Sequence, residues 1–542
     1  MKKIIFTLAA AMLLCANTQA QRYTGLLANI DGLTVGDMVG ISQSQFQYGT
    51  ARNMAMAGAL SSLGADVSVM ATNPAGLGMF SKSEISVTPM ITSQRSNHNA
   101  SNYMDNSKTS FSMSNVAMVV TIPTNYSARG LLSISMGFAY NKTADLNYNT
   151  SFYSSSTGRS SSIGEFFSAQ LSGDNIALSD VAGNNNPTWN NINTDVWGAV
   201  LGYKVGLADY DTSEGWYPGW ISEDAGVGHY VTMESIGSVG EYDISMGANI
   251  SNKFYIGATL GITSLNQRIN YNYSEDYTSQ GSSDYELNYA HYNQTAILNG
   301  TGVNFKLGII YRPTTQFRVS FAVHTPTAYT IDREYQAAAA SSVKVNTATP
   351  EEDINPDSSG NAYFEETSPL LADYDEYGWC FKTPTRILAG ASYLIGNRAI
   401  VSIDYQRDWY NNMRMTSAPY GINTYDYENQ ANSYLKATNT LRIGGEFRVT
   451  PKISLRAGYG FASSTIQGDN IVNTPISPTV ESVNYCSAGV GFAVSKSCSI
   501  DFAYMRHTTH YTDFQLFEAA NAQVYSLDIV RNNFAMTTSI KW

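Results

Sequence analysis

The feature that most limits the possible folds is a regular alternation of apolar and polar side chains. In residues 441–449, Leu, Ile, Gly, Phe and Val share one face, while Arg, Gly, Glu and Arg share the other. A turn follows at residues 450–452, and the alternation resumes through Phe461. Because successive side chains of a strand point to opposite faces, these segments are predicted to be amphipathic strands. A sandwich and a membrane barrel both fit this pattern, so further observations must decide between them.

The number of such segments and their connections favour the barrel. No segment after residue 20 approaches 18 consecutive apolar residues, so any membrane-spanning element must be a strand. The connections alternate between tight turns and long polar loops, as expected for short periplasmic turns and longer outer loops. We therefore predict an all-β fold, a transmembrane antiparallel β-barrel of about 14 strands. The predicted strands lie near residues 84–95, 111–122, 130–143, 230–250, 253–272, 288–312, 316–332, 380–396, 398–411, 436–450, 453–466, 481–494, 498–511 and 526–542.

The first 20 residues predict an exported protein. Lys2 and Lys3 precede an apolar stretch that ends at Leu14, and Thr-Gln-Ala at residues 18–20 has the small residues of a cleavage site. The apolar stretch is too short to remain as a membrane anchor. We therefore expect a signal peptide at residues 1–20, with the mature chain beginning at residue 21.

Charge, cysteine content and motifs exclude several function classes. Residues 1–20 hold two lysines and no acids, so 30 basic side chains face 44 acidic ones in the remainder. This balance disfavours nucleic acid as a partner, because its phosphates demand a basic surface. Cys380, Cys486 and Cys498 are too few for a disulfide framework and lack metal-ligand spacing. No hydrolase, zinc or phosphate-loop motif occurs, so we expect no enzyme, no cofactor and no bound metal.

Glycines recur on the polar face of the predicted strands, which would line the lumen. Glycine weakens a strand, and its presence is explained where another group approaches closely. Relief of crowding at a curved wall is one explanation, and space for an internal plug is the other. Residues 22–80 precede the first strand and lack alternation, so they are the candidate plug. The glycines are Gly137, Gly247, Gly257, Gly261, Gly308, Gly390, Gly444, Gly458, Gly489 and Gly491.

A motif in this N-terminal region carries a family resemblance. Residues 49–59, Gly-Thr-Ala-Arg-Asn-Met-Ala-Met-Ala-Gly-Ala, lead to the motif Asn73, Pro74, Ala75, Gly76 and Leu77. This region resembles the N-terminal hatch of the FadL/TodX family of outer-membrane transporters for hydrophobic compounds. Segments at 308–320, 383–386 and 441–460 are also similar to family strands and hairpins. The resemblance implies a hatch at 21–80 inside a fourteen-stranded barrel at 81–542, in the outer membrane of a Gram-negative bacterium.

The resemblance also implies a mechanism, the passive uptake of hydrophobic small molecules such as long-chain fatty acids. Family members have an outer hydrophobic site, a pocket in the barrel, and a kink in the third strand that opens a lateral gap to the bilayer. In this chain the third strand loses alternation at Asn141, Lys142, Thr143, Ala144 and Asp145, although a simple strand end is the alternative there. The implied partners are the lipid bilayer, lipopolysaccharide and a hydrophobic solute.

Two further groups of residues are candidates for contact with solute. Four arginines face the lumen by alternation: Arg318, Arg386, Arg442 and Arg456. They either bind the carboxylate of a fatty acid through two parallel hydrogen bonds or form ion pairs between the wall and the hatch. Three tryptophans lie in the longest outer connection, near residues 144–229, where they form either an outer hydrophobic site or a packed loop core: Trp197, Trp216 and Trp220.

The last strand suggests a further partner, and other residues leave two alternative functions open. The last strand ends in Trp542 and resembles the signal that the barrel-assembly machinery reads, and we expect the protein to be a monomer. A haem (hemin) receptor on the same scaffold is the first alternative function, with axial ligands among His98, His229, His507 and His510. An adhesin that uses the long outer loops is the second.

Overall fold

The computed structural model of the chain describes residues 33–44, 48–101, 104–124, 129–158, 161–182, 189, 192–278, 284–351, 354–372, 378–418, 433–467, 479–516 and 524–542. The predicted signal peptide at 1–20 lies outside these residues. The strands in chain order are β1 Glu84–His98, β2 Ser107–Pro123, β3 Leu131–Asp145, β4 Tyr148–Thr157, β5 Ala208–Asp211, β6 Gly215–Pro218, β7 Gly226–Ile250, β8 Phe254–Thr278, β9 Tyr285–Tyr311, β10 Phe317–His324, β11 Ala328–Val345, β12 Asn361–Thr367, β13 Leu371–Ala372, β14 Trp379–Lys382, β15 Arg386–Ile395, β16 Ala399–Trp409, β17 Arg414–Ser417, β18 Ala437–Thr450, β19 Ile453–Ala462, β20 Val480–Ala493, β21 Cys498–Tyr511 and β22 Leu527–Lys541.

These strands close into an antiparallel barrel with fourteen wall positions. The positions are β1, β2, β3, β7, β8, β9, β10 with β11, β14 with β15, β16, and β18 to β22. β1 pairs with β2 on one side and with the C-terminal β22 on the other, from Glu84 opposite Lys541 to His98 opposite Leu527. Closure removes the free edges that hydrocarbon would leave without hydrogen-bond partners. The predicted fold, an all-β barrel of fourteen strands, is confirmed.

The alternation in the sequence becomes the two faces of the wall. On β18, Leu441 and Ile443 are 42% and 44% exposed, whereas the intervening Arg442 is 1% exposed. The outer face is therefore apolar along the strands, and this is the face that a bilayer covers. Among the described residues, no helix is both long and apolar enough to cross a membrane.

Two wall positions that were predicted as single strands are interrupted. Pro326 separates β10 from β11, and Pro384 separates β14 from β15. Proline has no N–H to donate to a ladder, so regular pairing stops at each of them. The two breaks lie side by side, because the backbone N–H of Thr327 donates to the hydroxyl of Thr383 at 2.8 Å. Regular pairing is therefore interrupted at the same level in two neighbouring positions.

One sector of the wall rises well beyond the membrane at the end with the long loops. β7, β8 and β9 have 25, 25 and 27 residues, whereas about 9–11 residues of a tilted strand suffice to cross a bilayer. The helices α4 Ile163–Gly173, α5 Leu178–Val181 and α6 Trp197–Lys204 lie in the outer loop between β4 and β7. The side chains of Phe167, on α4, and Tyr292, on β9, meet edge to face at 5.2 Å between ring centres. This loop therefore packs against the inner face of the raised sector.

The described residues before β1 lie within the barrel. They form three short helices, labelled in chain order before those of the outer loop: α1 Val35–Ile41, α2 Ala51–Ala55 and α3 Val69–Thr72. A 3-10 helix follows at Pro74–Met79. Thr34 caps α1, since its side chain accepts from the N–H of Asp37 while that carboxylate accepts from the N–H of Thr34. We call the described residues 33–44 and 48–80 the N-terminal segment.

Candidate functional site

The lumen-facing glycines mark where the N-terminal segment touches the wall. A Cβ atom added to Gly444 would lie 2.5 Å from the carbonyl oxygen of Met56, and one on Gly247 would lie 2.6 Å from Cβ of Leu77. Both distances are far below ordinary van der Waals contact. Eight of the ten predicted positions have such a neighbour in the segment: Gly137, Gly247, Gly257, Gly308, Gly390, Gly444, Gly458 and Gly489. Gly261 and Gly491 meet wall side chains instead, so crowding within the wall explains those two.

The Asn-Pro-Ala-Gly-Leu motif forms the closest of these contacts. The side-chain amide of Asn73 donates to the carbonyl oxygen of Ser61 at 2.9 Å, and its Oδ1 accepts from the N–H of Ala75 at 3.2 Å. Asn73 thereby caps the 3-10 helix that begins at Pro74. Pro74 lies against Gly257, and Asn73 lies against Gly308. The motif therefore folds a compact turn that fits where these wall strands lack side chains.

Polar bonds hold the N-terminal segment to several sides of the wall. The Ser61 N–H donates to Asp404 at 2.9 Å, and the Arg52 guanidinium pairs with Glu446 at 3.1 Å. On another wall strand, β22, the hydroxyl of Thr537 accepts from the Ala51 N–H at 2.7 Å. Because these buried groups satisfy one another, the segment is fixed by specific bonds as well as by apolar packing.

The four predicted arginines all point into the lumen, where each guanidinium already has protein partners. Arg318 donates to the carbonyl oxygen of Leu63 at 2.9 Å. Arg386 pairs with Asp408 at 2.6 Å. Arg456 pairs with Glu446 at 2.8 Å and with Asp501 at 2.5 Å. Arg442 donates to Ser44, Gln406 and Tyr485. These arginines therefore tie wall strands to one another or to the N-terminal segment.

A further inward arginine, which the sequence analysis did not single out, lines an apolar pocket beside α1. Arg531 is 2% exposed, and its Nη2 donates to the carbonyl oxygen of Asn147 at 2.7 Å. Its Nε–H meets no acceptor among the described residues. The alternation of β22 places Arg531 on the lumen side with Asn533, so the signal was present in the sequence.

The pocket around Arg531 has a volume of about 70 Å³. Apolar and tyrosine side chains supply most of its lining: Ile41, Leu146, Tyr148, Met233, Ile269, Tyr271, Val480, Tyr511, Leu527 and Ile529. Asp37 and Asp145 also reach it. Burial raises the pKa of the Asp37 carboxyl, opposed by its hydrogen bonds to Thr34. This reduces the negative charge that Asp37 brings to the pocket.

A more polar cavity of about 80 Å³ lies next to this pocket and shares Ile41 and Gln43 with it. Its wall side includes Lys306, which pairs with Asp243 at 3.0 Å and also with Glu241. Asn141 donates to the same Asp243 at 2.8 Å. The cavity therefore runs from the end of α1 to the region of β3 that was predicted as a kink.

The wall is irregular at that region of β3. β2 and β3 are paired from Pro123 opposite Ser133 up to Asn115 opposite Asn141, and the ladder between them ends there. On its other side, β3 remains paired with β7, with a register shift between Lys142 and Ala144. The part of β2 before Asn115 is paired with β1. The predicted kink residues 141–145 thus lie at an interruption between two neighbouring wall strands, which we call the window.

The three predicted tryptophans of the outer loop differ in exposure. Trp197 is 5% exposed, and its indole N–H donates to the carbonyl oxygen of Ile192 at 3.2 Å. Trp216 and Trp220 are partly exposed and pack against the outer-loop core. Trp216 meets Tyr210 edge to face at 5.1 Å between ring centres. These two tryptophans present apolar surface on the outside of the loop.

The four histidines considered as haem ligands are held in separate polar contacts. His98 contacts the carbonyl oxygen of Ser151, His229 contacts Ser156 and Tyr273, His507 contacts Asn533, and His510 contacts Asp528. The described residues contain no group of three or more side chains placed to hold a metal ion.

The family described as outer membrane protein transport protein (OMPP1/FadL/TodX) matches residues 226–540, more than half of the chain. The chain belongs to this family. It is therefore an outer-membrane channel of Gram-negative bacteria for hydrophobic compounds, and the predicted family, class and location are confirmed. The family consists of transport channels, so the prediction that this FadL/TodX member is not an enzyme is confirmed as well.

Solved structures of FadL and TodX relatives resemble this family member over nearly their whole lengths. A Pseudomonas aeruginosa FadL homologue is 13% identical with a TM-score of 0.50, and the match covers 92% of this chain and 99% of that one. The toluene transporter TbuX of Ralstonia pickettii is 13% identical, with a TM-score of 0.48 and the same two coverages. At this identity the likeness to the FadL homologue supports the fold alone. No curated protein sequence matches the chain significantly.

Proposed function

We propose that this FadL/TodX family member takes up long-chain carboxylic acids passively and releases them sideways through the window into the bilayer. The observation that carries the proposal is Arg531, a buried arginine in an apolar pocket whose wall continues to the window through Asp145 and Leu146. The N-terminal segment would act as a hatch that closes the periplasmic end. The channel needs no energy source, because the solute moves down its own concentration gradient.

The choice of a carboxylic acid follows from the charge of Arg531. A buried cation with an unused donor is stabilised when an anion pairs with it, and guanidinium groups bind carboxylates with two parallel hydrogen bonds. The alkyl chain would lie along Ile269, Leu527 and Ile529, whose burial is favourable for methylene groups. The four predicted arginines are weaker candidates because their donors already bind the wall or the hatch. The small volume of the pocket requires α1 to shift as the chain enters.

The path into and out of the pocket follows the apolar surfaces of the chain. Partly exposed Trp216 and Trp220 would make the first contacts with solute at the outer loop. The buried apolar core that includes the outer-loop residues extends without interruption to α1 beside the pocket. At the window, the missing ladder between β2 and β3 leaves only side chains between the lumen and the lipid. A solute that leaves there avoids water throughout its passage.

The proposal also covers the oligomeric state of the channel and its partners in the cell envelope. We expect the channel to work as a monomer, because one closed barrel contains the pocket, the hatch and the window. The C-terminal strand would be recognised by the barrel-assembly machinery, since β22 is the strand that completes closure and ends at the exposed aromatic Trp542. In the membrane, lipopolysaccharide and phospholipid would cover its apolar outer face.

A disulfide across the window tests the sideways exit. Continuing the β2–β3 register beyond Asn115 places Met113 opposite Thr143, so we would introduce cysteine at these two positions. The variant is made after serine replaces Cys380, Cys486 and Cys498, which are free thiols. We expect oxidation to block uptake of dodecanoic acid into proteoliposomes while binding persists, and reduction to restore uptake.

A matched pair within the existing ladder provides the control. Met118 and Phe138 are direct partners on the same two strands, so a disulfide between cysteines there leaves the window open. Uptake through this control should not depend on oxidation. If the oxidised Met113–Thr143 variant transports as fast as the reduced one, solute does not leave through the window.

A further inference from the structure

The window is closed by side chains, and one of them crosses it. The ammonium of Lys142, on β3, pairs with Asp145 at 2.7 Å and donates to the hydroxyl of Ser112, on β2, at 3.3 Å. It also lies 5.7 Å from the ring centre of Tyr48 in the N-terminal segment. The Lys142 side chain is 2% exposed and that of Asp145 is fully buried. The lysine is thus held in place on three sides.

A second lysine marks the outer limit of the window. Lys108, on β2, forms an ion pair of 2.8 Å with Glu234, on β7, at the level where β4 has replaced β3 beside β7. From Lys108 to Asn115, where the ladder resumes, β2 advances seven residues, or about 23 Å at the usual strand rise. Ser112 divides this length into parts of roughly 13 and 10 Å. The contact between Lys142 and Ser112 therefore crosses the middle of the window.

We propose that Lys142 is a bar across the window and sets the cross-section of the solutes that leave. This inference rests on the proposed sideways exit and assigns a selectivity residue to it. We expect a linear alkyl chain to pass beside the lysine stem with less displacement of the ammonium, because it is the narrower solute. A branched or cage-shaped solute has to displace the ammonium from the hydroxyl of Ser112 and from the buried carboxylate of Asp145. Such displacement costs free energy because the charge loses hydrogen bonds in a dry environment.

The test compares two carboxylic acids of different width, dodecanoic acid and adamantane-1-carboxylic acid. Their uptake into proteoliposomes is measured for the wild type and for Lys142→Ala, and the ratio of the two rates is the readout. We expect Lys142→Ala to raise the relative rate of the adamantane acid roughly fivefold, as loss of one hydrogen bond would allow. Because this change leaves Asp145 without its cation, the same measurement is made with Lys142→Ala combined with Asp145→Asn.

Two control variants show whether the effect depends on the cation at the window. Lys142→Arg keeps a long cationic side chain that can still pair with Asp145, and should leave the ratio near that of the wild type. Lys344→Ala removes a cation whose pairing with Glu286, at 3.9 Å, lies far from the window, and should also have no effect. An unchanged ratio in both Lys142→Ala variants overturns the proposal, as does an equal rise in Lys142→Arg. If the oxidised Met113–Thr143 disulfide blocks uptake while these ratios stay constant, only the bar is wrong and the sideways exit stands.

Discussion

Two neighbouring glycines on β18 allow the fit of the hatch to be tested at a single atom. Gly444 faces the lumen, where an added Cβ would lie 2.5 Å from the carbonyl oxygen of Met56. Gly445 faces outward, and its nearest neighbour would be the carbonyl oxygen of Ile400 at 3.7 Å, an ordinary contact. Replacing each glycine by alanine therefore adds the same methyl group to the same strand on opposite faces.

The expected magnitudes follow from this geometry. Replacing a glycine within a strand by alanine raises the free energy of unfolding by about 0.5–1 kcal/mol, because the unfolded chain loses conformational freedom. Gly445→Ala should show this gain or no change. Gly444→Ala adds an overlap with backbone atoms that cannot rotate away, and overpacking of this kind costs roughly 1–3 kcal/mol. We therefore expect Gly444→Ala to lower the free energy of unfolding by about 1–2 kcal/mol. Displacement of the N-terminal segment would relieve the overlap.

Two measurements check this prediction. The free energy of unfolding in lipid vesicles, from urea titration, should be lower for Gly444→Ala than for Gly445→Ala. Single-channel conductance should rise only for Gly444→Ala, because a displaced hatch lets ions pass. If the two variants are equally stable and equally tight, the hatch does not contact the wall at Met56, and the explanation of the lumen glycines is wrong.

Two further predictions address the pocket and the wall. Arg531→Met should weaken binding of dodecanoic acid more than tenfold in equilibrium titrations, because a hydrogen bond to a charged group contributes about 1.5–3 kcal/mol. Neutral dodecanol should bind as before, and equal losses for the two ligands would mean that Arg531 does not hold the carboxylate. Leu455→Arg on the lipid face should lower the free energy of unfolding in vesicles by about 1–2 kcal/mol, since Leu455 lies between the tight turn at 450–452 and the midplane, and Ser454→Arg on the lumen side should lower it less. A larger loss for Ser454→Arg would reverse the assignment of the two faces.

The wall could be predicted from the sequence because its determinants are local. Alternation along each strand and the turn residues between strands specify fourteen wall positions without knowledge of any long-range contact. The same reasoning missed β4, whose serine-rich sequence from Tyr148 to Thr157 has a weak apolar alternation. It also read straight through Pro326 and Pro384, since the flanking residues continue the pattern on both sides.

The interior was harder to predict because it depends on which side chains meet across the lumen. Alternation placed Arg318, Arg386, Arg442 and Arg456 inside but carried no information about their partners. Those partners are supplied by distant strands and by the N-terminal segment. Arg531 has the same inward position, and only the three-dimensional arrangement distinguishes it, through its apolar surroundings and its unused donor.

The closure of the barrel by β1 and β22 has a consequence for how the protein is made. These are the first and last strands of the wall, and joining them closes the longest loop of any wall pairing, which is entropically costly. If this pairing forms last, the sheet stays open on one side until then, and the N-terminal segment can enter the lumen through that side. The lumen-facing glycines would then leave the space in which the wall closes around the N-terminal segment. A cylinder that closed first would have to admit a folded plug through one of its ends.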